Sequence, residues 1–126
     1  MKIDLHSHTY YSDGHLSPAE LILRAHQMQL DVLAITDHDT TQALAEARMV
    51  QAREKRHLEI ISGIELTTRW HGFDIHILGL HFDEDDALFQ QRLLQQTHTR
   101  VERARQICDK LAKCGIEHVF DDAMVK

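Results

Sequence analysis

Residues 6–14 read HSHTYYSDG: two histidines stand one residue apart, Asp13 follows closely, and Gly14 ends the stretch. Imidazoles with a nearby carboxylate make a donor set for divalent cations such as zinc, manganese or iron. On an extended backbone the side chains at i and i+2 point the same way, so His6 and His8 can reach one ion. An HxH pair alone fits a polar loop equally well. Three later stretches carry the same chemistry. ITDHDT sets His38 between Asp37 and Asp39, GIELTT carries Glu65, and DIHILGLHF carries His76.

For these residues to meet, the elements bearing them must end at one place. Lys2–His6 reads as a short strand. Ser17 as N-cap, Pro18 at the first helical position and Glu20 as the returning side chain of a capping box then start a helix with Leu21, Ile22, Ala25 and Met28 at helical spacing. DVLAIT, residues 31–36, is a continuous apolar run suited to a strand covered on both faces. Thr40 or Thr41 caps a second helix to about Arg56, with Ala43, Leu44, Ala47, Val50 and Met49 as its inner stripe. Leu58–Leu66 and Phe73–Phe82 read as strands joined through TTRWHG, where Gly72 suggests a hairpin. A long amphipathic pattern from about Asp85 to Cys114, with Phe89, Leu93, Val101, Ala104, Cys108 and Leu111, stops at Gly115.

This order, strand, helix, strand, helix, strand, strand, long helix, predicts an α/β fold with mostly parallel strands and flanking helices. Such folds gather functional groups at the carboxyl ends of their strands. A closed barrel takes about 250 residues, so 126 residues supply the front part of one. The ending FDDAMVK has no sign of a finished element, and the chain is expected to be the front of something longer.

Composition narrows the classes. The chain is 43% hydrophobic and 27% charged, as in one globular domain. No apolar run approaches the roughly 18 residues of a membrane span, and MKIDLHSH has no leader pattern, so a cytoplasmic protein is expected. The net charge of −6 argues against binding double-stranded DNA, whereas bound cations can reverse the local field for a small polyanionic substrate. Cys108 and Cys114 fall on different sides of a helix and read as buried packing residues.

Not every polar residue belongs to a site. His15, His26, His57, His71, His98 and His118 read as ordinary surface or hydrogen-bonded histidines, and His81, five residues beyond His76, reads the same way. Asp39 and Thr40 read as turn or cap residues. Tyr10, Tyr11, Ser12, Arg69 and Trp70 lie where they can touch a phosphate or a base, yet read as ordinary loop residues. The conjunction of His6, His8, Asp13, His38, Glu65 and His76 carries the metal reading.

Together DLHSHTYYSDG, AITDHDT, GIELTT and HILGLHFD resemble, in order and spacing over nearly the whole chain, the front half of the PHP (polymerase and histidinol phosphatase) superfamily of metal-dependent phosphoesterases. The likeness is to the bacterial branch that includes ribonuclease AM, a 5′-to-3′ exoribonuclease that also acts as a nucleoside 3′,5′-bisphosphate phosphatase. It implies a distorted (β/α)7 barrel with two or three divalent ions, manganese first, zinc or iron otherwise, and a nucleotide or short RNA as substrate. His6 and His8 match the ligand pair of the first motif and Asp13 the aspartate after it. His38 matches the histidine of the second motif, Glu65 the carboxylate expected to bridge ions, and His76 a further ligand. Hydroxide on the metal would serve as nucleophile, with no protein nucleophile. Asp37 is expected to orient a ligand histidine by accepting its other N–H.

The resemblance leaves two other classes open: a small phosphomonoesterase of the histidinol-phosphatase kind, and a non-catalytic metal-binding module. It also makes residues 1–126 one incomplete domain, with the motifs in about 1–84 and a helix over about 85–114 leading towards an insertion and a second half. Little activity is expected of this segment alone, and its open sheet edges invite self-association.

Overall fold

The structure, a computed structural model, describes residues 1–116. His118 and the FDDAMVK ending lie outside the described residues. The order of elements is β1 (Ile3–Asp4), α1 (Pro18–Gln27), β2 (Val32–Ile35), α2 (Gln42–Ala52), β3 (Glu59–Trp70), β4 (Phe73–Leu80) and α3 (Ala87–Lys113). They fall into two compact units, Met1–Asp86 and the segment from Ala87 onward.

In the first unit one sheet runs β1-β2-β3-β4, parallel through β3 and antiparallel between β3 and β4. The expected α/β architecture with mostly parallel strands is present. All four residues of β2 are buried. Leu33 and Ile35 from β2 pack with Leu58 and with Ile60 of β3 against Ile22 and Ala25 of α1 and Ala43, Leu44 and Ala47 of α2. Each fully buried leucine or isoleucine side chain contributes about 1.5–3 kcal/mol, so this layer holds the two helices to the sheet.

Helix α1 begins as its sequence dictates: Glu20 N–H donates to Ser17 Oγ, the Ser17 N–H donates to Glu20 Oε1, and Pro18 follows the cap. Its inner stripe is shorter than expected. Met28 is the C-cap and is exposed. Met49 of α2 is likewise exposed. Helix α2 stops at Ala52, short of Arg56, whose guanidinium instead donates to Leu30 O and to Asp31.

Two strands differ from expectation at their ends. β1 covers only Ile3 and Asp4, but the chain stays beside β2: Ser7 Oγ donates to Ala34 O, and Thr36 N–H donates to Ser7 O. β3 runs on to Trp70, absorbing most of TTRWHG, because Trp70 pairs directly with Phe73. The turn is only His71–Gly72, with φ 50° and 80°, the positive pair that a tight two-residue hairpin requires.

In the second unit, α3 keeps Leu93 buried, with Phe89, Val101, Ala104, Cys108 and Leu111 half-buried along the expected stripe. Cys114 is exposed and Cys108 only half-buried, so the expectation of two buried cysteines fails: Cys114 stands just past the end of α3. Among the described residues no helix is long and apolar enough to cross a membrane.

Candidate metal centre

The parallel ladder brings three segments together. The segment after β1 carries His6 and His8, the segment after β2 carries His38, and β3 carries Glu65 in its middle. His38 and Glu65 form a parallel bridge beyond the end of β2, closed by Glu65 N–H to Asp37 O at 3.0 Å and Asp39 N–H to Glu65 O at 3.1 Å. The antiparallel return of β4 supplies the fourth contribution, because register places His76 opposite Thr67. The same register places His81 past the other end of the ladder, where its N–H donates to Ser62 O.

The six predicted residues converge. His6 Nε2 and His8 Nε2 lie 3.1 Å apart, close to the roughly 3.3 Å expected of two nitrogens on one tetrahedral ion with bonds of about 2.0–2.1 Å. Glu65 Oε1 is 3.7 Å from His6 Nε2, and its Oε2 is 3.4 Å from His8 Nε2 and 3.2 Å from His38 Nδ1. Asp13 Oδ2 is 3.1 Å from His38 Nε2, and Asp13 Oδ1 is 3.4 Å from His8 Nδ1. The His8 and His38 rings stack with centroids 4.7 Å apart, and His76 meets His38 edge-on at 5.8 Å.

Three overlapping groups can each present donors within 4.8 Å of one another: His6, His8 and Glu65; His8, Asp13 and His38; His38, Glu65 and His76. His8, His38 and Glu65 each belong to two groups. The donor chemistry fits borderline divalent cations. Buried His8 Nδ1 has no hydrogen-bond partner among the described residues; at 3.4 Å from Asp13 it is near a carboxylate without being bonded to it. A buried polar atom left in this state is costly unless something else engages it.

Burial pushes the Asp13 carboxyl up, but the His38 and His8 imidazoles, aided by the His38 hydrogen bond, outweigh it and hold the group below its ordinary value. Asp13 therefore stays ionised wherever the histidines can act as ligands. Tyr10 is held above its ordinary value, chiefly by the Glu46 carboxylate, so its hydroxyl keeps its proton.

Asp37 does not play the expected part. Its carboxylate accepts from Thr9 N–H and Thr9 Oγ1, both at 2.6 Å, and from Ser12 Oγ at 2.7 Å; these donors take both oxygens, and Asp37 accepts from the loop instead of from a histidine. Ser12 is accordingly no ordinary loop residue. Thr9, fully buried, was not foreseen; a threonine amid polar loop residues carries no signal of burial. Asp39 does more than turn the chain: buried, with φ 55°, it accepts from Thr67 N–H at 3.2 Å and fixes the strand beyond Glu65. Tyr10 and Tyr11 meet edge-to-face, Arg69 forms an exposed ion pair with Asp74 at 3.5 Å, and Trp70 packs edge-on to His71, as loop and hairpin residues do.

Comparison with known proteins supplies names for this arrangement. The family model described as the PHP domain matches residues 4–113. The chain is 45% identical over 120 residues to the 5′-3′ exoribonuclease Rnm of Escherichia coli, covering 95% of this chain and 41% of that protein. It is 41% identical over 122 residues to a 3′,5′-nucleoside bisphosphate phosphatase of Chromobacterium violaceum, covering 97% and 42%. Among solved structures, an amidohydrolase from Chromobacterium violaceum with bound sulfate and no metal superposes with a TM-score of 0.83 at 40% identity, covering 98% of this chain and 43% of that one. A metal-dependent phosphoesterase, so described provisionally, from Bifidobacterium adolescentis gives a TM-score of 0.78 at 26% identity, covering 90% and 39%. The chain spans less than half the length of these relatives.

Proposed function

The chain belongs to the PHP domain family, and from that premise we propose that it is the front, ligand-bearing part of a phosphoesterase that uses two or three divalent ions, manganese foremost. His6, His8, Asp13, His38, Glu65 and His76 hold the ions. The observation that carries this reading is the overlap of three donor groups through His8, His38 and Glu65. Divalent ions bound there supply Lewis acidity and an acidified water for hydrolysis.

The protein's own residues do the positioning. Glu65 offers its two oxygens to different histidines, so one carboxylate can serve two ions and lower the charge between them. Asp13, ionised and exposed, balances His8 and His38 from the loop side. The substrate proposed is a nucleoside 3′,5′-bisphosphate or the 5′ end of a short single-stranded RNA; likeness to the exoribonuclease and to the bisphosphate phosphatase supports it. Double-stranded DNA is not proposed, and the setting proposed is the cytoplasm.

Residues 1–126 are proposed as one incomplete domain, completed by a second half of the kind the longer relatives carry. By itself the segment leaves Ile3, Leu5, Ile77, Leu78 and Leu80 exposed on its outermost strands and beside them, so it is expected to self-associate and to turn over slowly. Phosphate release from a nucleoside 3′,5′-bisphosphate, a short RNA and histidinol phosphate, with and without manganese, tests the reading in a chain continued to the relatives' length. Manganese-stimulated release from the first two supports it. Release from histidinol phosphate alone replaces the substrate, and no release from any of the three, with ions bound, leaves a metal-binding module.

A further inference from the structure

We infer that Asp37 is a positioning residue that presets the metal centre, fastening the loop that bears Asp13 to the strand end that bears His38; the inference rests on the metal reading above. Asp37 is 1% exposed, and a carboxylate so buried persists only when its oxygens are bonded. Three donors meet that need at 2.6, 2.6 and 2.7 Å, short distances typical of charge-assisted hydrogen bonds. All three come from Thr9 and Ser12, in the few residues between His8 and Asp13.

The rest of the loop winds on the same anchor. Ser12 N–H and Gly14 N–H both donate to Thr9 O, at 3.1 and 2.9 Å, and Tyr11 N–H donates to Thr9 Oγ1 at 3.2 Å. On its other side, Asp37 is joined to β3 by its carbonyl, which accepts from Glu65 N–H. One residue thus sets His8, Asp13, His38 and Glu65 relative to one another through its side chain, its carbonyl and its chain neighbour. Asp37 is in none of the three groups able to hold an ion, so its effect on the ions passes through the loop. With the loop tied down, ion binding need not order it, and preorganisation of this kind preserves affinity.

The test is divalent manganese binding to the purified protein, by calorimetry and by metal count per chain, in wild type, Asp37→Asn and Ser12→Ala, beside thermal melting of each in chelator. Asn keeps the shape of Asp but has one acceptor oxygen where Asp37 uses two, so it removes the charge and puts a donor in place of one acceptor. The expected result is a loss of about 10–100-fold in affinity for Asp37→Asn, as for other groups that orient ligands. The bound ion lost is the one shared by Asp13 and His38, and ion binding at His6 and Glu65 is retained. Ser12→Ala is expected to move affinity the same way by less, with its metal-free melting unchanged.

Unchanged affinity and ion count in folded Asp37→Asn, with only its metal-free melting lowered, would make Asp37 a packing residue and overturn the inference. If Asp37→Asn does not fold, Ser12→Ala decides in the same two directions. Wild-type protein that binds no divalent ion would remove the metal reading and this inference together; wild-type binding with both variants unaffected removes this inference alone.

Discussion

His38 and Glu65 meet twice, once through a parallel bridge of their backbones beyond the end of β2 and again where His38 Nδ1 lies 3.2 Å from Glu65 Oε2. The backbone contact makes the side-chain contact a property of the fold, because the ladder that joins β2 to β3 fixes both residues at the same height. Glu65→Gln leaves that ladder intact and removes the only carboxylate among the described residues that reaches both His6 and His38. It is expected to weaken divalent-ion affinity by at least about tenfold while metal-free melting stays close to that of wild type. Calorimetric titration with manganese checks it; wild-type affinity in this variant would show that Glu65 bridges nothing.

Gly14→Ala is expected to weaken ion binding from outside the ligand set. A Cβ at this position would lie 2.5 Å from His8 O, 2.7 Å from His8 C and 2.9 Å from Thr9 O. All three are backbone atoms that cannot rotate away, so the loop between His8 and Asp13 must shift. Placement errors of about 1 Å are costly in such sites. Manganese affinity below that of wild type in a protein that still melts cooperatively is the expected outcome, and equal affinity would mean that the loop accommodates a methyl group there.

Ion affinity is expected to fall as pH drops, because protons compete with metal for the imidazoles. Asp13 does not set this limit. Its carboxyl is held below the ordinary 3.8, so what it contributes is present above that value and is lost only as pH falls through its lowered folded value. Manganese titrations between about pH 5 and pH 8 check the sign. Affinity that is flat across this range would speak against imidazole ligands.

Much of the candidate centre was legible in the sequence because His6, His8 and His38 follow strands that apolar runs mark. DVLAIT announced a buried strand, and the residue types of His38 and Glu65 did the rest. His76 was legible only as a residue type; its arrival depends on the two-residue turn at His71–Gly72, which sets the β3–β4 register. The loop was the least legible part. Thr9 and Ser12 look like surface residues, and nothing local says that a buried aspartate 25 or more residues later takes their hydrogen bonds. The extent of β1 was misread for a related reason: after Asp4 the chain is held by Ser7 and Thr36, not by a regular ladder.

The most direct test of the account is the divalent-metal content of the purified protein beside that of His8→Ala. His8 belongs to two of the three donor groups, and its imidazole is only part-buried, so its removal should spare the fold while disabling both. The account predicts that wild type retains divalent ions through dialysis and that His8→Ala loses at least one of them per chain. Equal metal content in the two proteins would contradict it.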